Sequence, residues 1–187
     1  MTADLLQLPL RSAVTPDFAT DLPTFRALVR ADWRANPRDP KSRLVLLAFR
    51  LAQLAMGTPD GGVRLRAILP VALYRAWTEG MLGIELRPRT RVGAGLTIYH
   101  GFGLVVNDHV VLGAGVTLRN GVTIGNRTPD GACPVIGDGV EFGAGAIVIG
   151  DLDVGAGARI GAGAVVVKPV PAFRSVVGNP ARLLPER

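Results

Sequence analysis

A chain of 187 residues has room for one domain, or one domain with a small satellite. Apolar residues make up 48 % but aromatics only 5 %, and there are 24 glycines, so the core must be Val, Ile, Leu and Ala folded around tight turns. One cysteine, Cys133, excludes an internal disulfide framework and a Cys-cluster metal site. The net charge of +6, carried mostly by Arg with no interleaved aromatics, suits phosphate-bearing small molecules or an anionic surface and argues against nucleic acid.

The opening MTADLLQLPLRSAV has no basic segment followed by a long apolar one, so no signal peptide is expected. No uncharged apolar run reaches the roughly 18–20 residues of a spanning helix. The expectation is a cytoplasmic protein. Residues 1–83 read as an α-helical N-terminal region. Asp21 is a candidate N-cap for a short helix ending near Ala35, before Pro37. Ser42 is the expected cap of a second helix, RLVLLAFRLAQLAM, which Gly57 ends. TPDGG is a turn, and a third helix is predicted from about Val63 to Leu82, kinked at Pro70 and stopped at Gly83. The second and third helices are very apolar yet carry Arg43, Arg50, Arg64, Arg66 and Arg75. They are expected to pack on another helix or chain; contact with the inner membrane surface is the alternative.

From about Leu86 the period becomes six. Val106, Leu112, Leu118 and Ile124 stand six apart, and the series resumes at Ile136, Phe142, Val148, Val154, Ile160 and Val166. Four residues after nearly every one comes a smaller apolar residue: Val110, Val116, Val122, Val140, Ala146, Leu152, Ala158, Ala164 or Val170. Each hexad is one short strand plus a turn, and three close a triangular coil whose stacked copies pair in parallel. Glycine follows many of the large positions, where it is expected to relieve the corner dihedrals. Residues 84–187 are thus a parallel β-helix. Its frame breaks twice: at YHGFGL, which inserts two residues, and at GNRTPDGACPV, predicted to protrude as a loop over 125–135.

The stretches IYHGFGLVVNDHVVLGAGVTLRNGVTIGNR, CPVIGDGVEFGAGAIVIGDLDVGAGARIGAGAVVVKPVP and VVGNPARLL resemble the hexapeptide-repeat acyltransferases, in particular the serine acetyltransferase branch and, within it, the exopolysaccharide-cluster acetyltransferases of colanic-acid type. The resemblance implies a left-handed parallel β-helix and acetyl-CoA as donor to a hydroxyl; with one cysteine and two histidines, no metal is expected. It also implies a homotrimer, or two trimers joined through the helices. In the serine enzymes a catalytic histidine follows an aspartate before the first frame break. His100 matches the histidine, and Tyr99 stands at the aspartate. Their Asp-Arg-His-Pro loop is Gly131-Ala132-Cys133-Pro134 here, and their Arg-Asp-Pro aspartate is Asp39. Donor-contacting corner positions fall on Ala144 and Ala162.

These residues define the expected site. His100 is the general base, because imidazole exchanges a proton near neutral pH. Asp39, Tyr99 and Cys133 face the acceptor. Asn126 and Arg127, which open the loop, join Ala144 and Ala162 on the donor; Arg159 and Lys168 are further phosphate candidates or solvated side chains. His109, mid-hexad, is expected to be exposed or at a subunit interface. Cys133 as an acyl carrier is a minor alternative to a bland loop residue. Losing the charged partners of an amino acid favours a carbohydrate hydroxyl, with serine O-acetyltransferase as the alternative. A γ-class carbonic anhydrase needs three histidines, and only two are present. A non-catalytic scaffold would need neither the frame-break histidine nor the loop.

Overall fold

The computed structural model describes residues 18–60 and 64–185; the N-terminal lead-in and the predicted start of the third helix at Val63 lie outside them. Three helices lead into about five coils of parallel β-helix. Helix α1 (Leu22–Ala35) begins at Asp21, whose carboxylate accepts the Thr24 N–H at 2.8 Å. Helix α2 (Pro40–Met56) begins two residues before Ser42, the expected cap. Asp39 is the N-cap instead, because Pro40 suits the first helical position and the Asp39 carboxylate takes the Ser42 N–H at 3.0 Å. Gly57 ends α2 in the left-handed conformation, as expected. Helix α3 (Leu65–Arg75) runs on through Pro70 and gives way to a π-helical turn, Ala76–Met81.

Each coil contributes three strands. The first holds β1 (Ile84–Leu86), β2 (Arg91–Val92) and β3 (Thr97–Tyr99); the second β4 (Leu104–Val106), β5 (Val111–Leu112) and β6 (Thr117–Arg119). The third holds β7 (Thr123–Gly125), β8 (Val135–Ile136) and β9 (Glu141–Phe142); the fourth β10 (Ile147–Ile149), β11 (Asp153–Val154) and β12 (Arg159–Ile160). The fifth has β13 (Val165–Val166), a single bridge at Val170 and β14 (Ser175–Val177), and β15 (Arg182–Leu183) turns back antiparallel on β14. Stacking produces three faces: A (β1-β4-β7-β10-β13), B (β2-β5-β8-β11) and C (β3-β6-β9-β12-β14).

The register carries the sequence frame. Val105 pairs with Thr123, and Ile147 with Val165, each eighteen residues on. Thr97 pairs with Thr117, twenty on, so YHGFGL adds two residues. Val111 pairs with Val135, twenty-four on, so the loop adds six. Every large and small position of the hexads is buried. The glycines after the large positions differ from expectation. They are not in the left-handed region; a Cβ on Gly113 or Gly143 would instead lie 2.3–2.4 Å from the next coil, at Asp138 and Ala162. The corner dihedral falls two residues later, for example at Gly145 with φ +68°.

A β-helix leaves its first coil with an unpaired edge. Here α1 and α2 cover it with side chains. Asp32 accepts from the N–H groups of Gly95 (2.9 Å) and Leu96 (3.1 Å). Arg50, fully buried, donates to the carbonyls of Val92 and Gly93 and pairs with Asp32 at 2.9 Å. Gln53 donates to Thr90, Asn36 bridges Leu96 and Ile98, and Ser42 donates to the Ile98 carbonyl at 2.7 Å. Tyr74 donates to Leu86. Side chains of the helical region thus satisfy backbone groups of the first coil that a preceding coil would otherwise pair.

Candidate active site

The first frame break lies on the edge where face C turns into face A. Strand β3 ends at Tyr99, and His100 follows with φ +61°, exposed at the corner. That left-handed conformation is uncommon for a residue with a side chain and marks the corner as a constrained position. Below His100 the same edge passes Asn120 in the second coil and then carries only small residues. The N–H of Gly121 donates to Phe102, that of Gly145 to Asn120 and that of Gly163 to Ala144, each at 2.9 Å. In the third and fourth coils the edge carries only Gly143–Gly145 and Gly161–Gly163, with Ala144 and Ala162 at the tips. At about 4.8 Å per coil, this slot extends about 14 Å away from the His100 coil. No side chain larger than a methyl group projects from this edge in the third and fourth coils.

Asp39 and Tyr99 come to the same corner. Ser42 links the Asp39 carboxylate (2.9 Å) to the carbonyl of Ile98, two residues before His100. Burial works to raise the Asp39 carboxyl, but the Ser42 N–H and hydroxyl, with Lys41, hold it below its usual range. Tyr99 is 41 % exposed, and the Arg119 guanidinium sits over its ring at 5.0 Å. Arg119 was not singled out from sequence. Only the twenty-residue register, which sets Tyr99 beside Arg119 on β3 and β6, reveals it.

The loop lies on a different edge, where face A turns into face B. Asn126 closes its neck: the side-chain amide donates to Thr128 (2.7 Å) and Pro129 (3.0 Å), and its oxygen accepts from Asn107 (3.2 Å). Arg127 is exposed. Cys133 is buried. Burial first, then the Asp108 charge, pushes its thiol up, against a smaller opposing effect of the Asn126 backbone. Such a thiol stays protonated near neutral pH and is a poor acyl carrier. His109 is 82 % exposed on this edge, 3.4 Å from Asp108, beside a 460 Å³ cavity lined by Asp60, Arg89 and Arg91. Within one chain, then, His100, Asp39, Tyr99, Ala144 and Ala162 share an edge, whereas Asn126, Arg127 and Cys133 belong to the next one. Of the two further cations, Lys168 is exposed, and Arg159 lies 3.8 Å from Glu141 on face C.

No family model matches the chain. WcaB of Escherichia coli (strain K12), named for colanic acid biosynthesis acetyltransferase activity, is 42 % identical over 155 residues, which are 81 % of this chain and 96 % of that protein. The chain belongs to the hexapeptide-repeat acetyltransferases. The soybean serine acetyltransferase apoenzyme superposes with a TM-score of 0.74 at 34 % identity, covering 87 % of this chain and 70 % of that one. A serine acetyltransferase in complex with CoA does so with 0.70 at 26 % identity, over 87 % and 70 %. The protein is an O-acyltransferase using acetyl-CoA as donor, and the β-helix expected from the hexads is the fold of its serine acetyltransferase neighbours. Among the described residues no helix is long and apolar enough to cross a membrane.

Proposed function

We propose that this acetyltransferase transfers acetyl from acetyl-CoA directly to a carbohydrate hydroxyl, with His100 as general base. The observation that carries the reading is the placement of His100 in a left-handed corner at the head of the small-residue slot. Acetyl-CoA supplies an acetyl group already activated as a thioester. His100 accepts the acceptor's hydroxyl proton as that oxygen attacks, and returns it to the departing sulfur. The slot past Ala144 and Ala162 suits the donor's narrow arm, because no side chain there exceeds a methyl group. The buried, raised thiol of Cys133 favours direct transfer over an acyl-cysteine.

The acceptor is argued from charge. A free amino acid carries an ammonium and a carboxylate, and each left unpaired costs about 1–3 kcal/mol. Tyr99 and Gly131-Ala132-Cys133 stand where the resemblance has charged residues, and Asp39 is already held by Ser42. Tyr99 offers a ring face and a hydroxyl, a surface suited to a pyranose. The likeness to WcaB over nearly its whole length supports the carbohydrate. We expect kcat/KM for the better members of a sugar-acceptor panel to exceed that for L-serine by about 100-fold or more. L-serine winning by a wide margin would identify a cysteine-pathway enzyme instead.

The two-edge arrangement supports a homotrimer, in which the loop edge of one chain closes on the His100 edge of its neighbour. Helix α3 also exposes an apolar stripe, Leu65, Ile68, Leu69 and Leu73, between 52 % and 85 % accessible, which suits further assembly through the helices. Light scattering on dilute protein should report three chains or a multiple of three. A folded, fully active monomer contradicts the shared site.

A further inference from the structure

We propose that Arg119 is the anion-binding residue of the acceptor pocket, so that the acceptor hydroxyl belongs to a molecule bearing a phosphate or a carboxylate. The inference rests on the reading that the His100 edge is the acyl-transfer centre. Arg119 ends β6 one coil below Tyr99, in register with it, and its guanidinium lies over the Tyr99 ring at 5.0 Å. Stacking on a ring face orients the planar group and leaves its N–H edge free to donate two parallel hydrogen bonds to an oxyanion. Among the described residues Arg119 has no carboxylate partner, unlike Arg75, Arg87, Arg91 and Arg159, which lie within 4 Å of Glu or Asp.

The ground beneath it is open. Strand register puts Gly143 and Gly161 below Arg119 in the next two coils, so the positions in line with it carry no side chain, while Glu141 and Arg159 border the same groove as a pair. A groove of about 310 Å³ runs there along face C, from Arg119 past Gly143 and Gly161 to Val177. A cation without a carboxylate partner, held over the ring of Tyr99, the residue next to the candidate base, and bordering a groove is placed to bind an anionic group while a hydroxyl of the same molecule reaches His100. Arg159, two coils lower, faces Glu141 and is partly neutralised, so it competes poorly for that group.

The test follows the His100 imidazole by NMR on protein with labelled histidine; the His100→Ala spectrum assigns the two histidine signals. Glucose 1-phosphate, glucuronate, L-serine and methyl glucoside are titrated at saturating CoA, so that the donor site is filled. The anionic probes should shift the His100 signal and methyl glucoside should bind at least about tenfold more weakly. Arg119→Gln should weaken the anions by about 10- to 100-fold and leave methyl glucoside unchanged, with Arg119→Lys in between. Anions that bind Arg119→Gln as well as wild type, that bind no better than methyl glucoside, or that bind only without CoA overturn the proposal. If L-serine alone depends on Arg119, the anion site stands and the carbohydrate reading falls. If His100→Ala keeps its kcat, the site reading falls whatever Arg119 does.

Discussion

Replacing His100 with alanine is expected to lower kcat by about 10²–10⁴-fold with little change in KM for acetyl-CoA. The magnitude is that of one positioned base. The hydroxyl must lose its proton as it attacks, and water is a weak base for that task. The slot past Ala144 and Ala162 lies in the third and fourth coils, away from the imidazole, so truncating His100 leaves donor contacts in place. CoA release under saturating acceptor and donor measures the effect. The variant's circular dichroism and oligomeric state should match wild type, because the His100 side chain is exposed. An unchanged kcat removes His100 from the mechanism.

Replacing Asp32 with alanine is expected to destabilise the protein by about 3–5 kcal/mol, because it strands a buried guanidinium. Arg50 is fully buried and Asp32 is 2 % exposed, so solvent offers neither an alternative partner. For a chain of this length, about 2–4 °C of Tm is lost per kcal/mol. Thermal melts at fixed protein concentration should therefore fall by roughly 6–20 °C. The double change Asp32→Leu with Arg50→Met separates two accounts. A simple buried ion pair is often replaced by apolar residues without loss. Here the pair also serves the carbonyls of Val92 and Gly93 and the N–H groups of Gly95 and Leu96. The double variant should thus stay destabilised by at least about 2 kcal/mol, the cost of orphaned backbone groups. Recovery of the wild-type Tm would mean that the coil edge finds other partners.

Arg50 shows how far a helical pattern can be read. Its place in an apolar run suggested packing on another element, but not that the guanidinium would act as the end cap of a β-helix. Helix patterning reports which side is apolar; the unpaired backbone that a buried polar group must satisfy belongs to a strand about forty residues away. Ser42 failed as an N-cap for a related reason. It lies in the first turn, and its hydroxyl joins the Asp39 cap to the Ile98 carbonyl instead of capping the helix itself.

The hexads by themselves determined the coil, its buried ladders and the positions of both frame breaks, because a six-residue alternation repeated over ten large positions buries its aliphatics in one way. The motif around His100 likewise marked the candidate base. Tertiary structure alone decided which residues share an edge. Six residues advance the chain by one face, so the break at His100 and the loop at Asn126–Pro134 come out on successive edges although both interrupt the same repeat. The same winding sets Arg119 over Tyr99, twenty residues away in sequence and one strand spacing away in space. A linear pattern carries the period, but neighbours across coils depend on the summed length of every insertion between them, and only the stacked backbone fixes that sum.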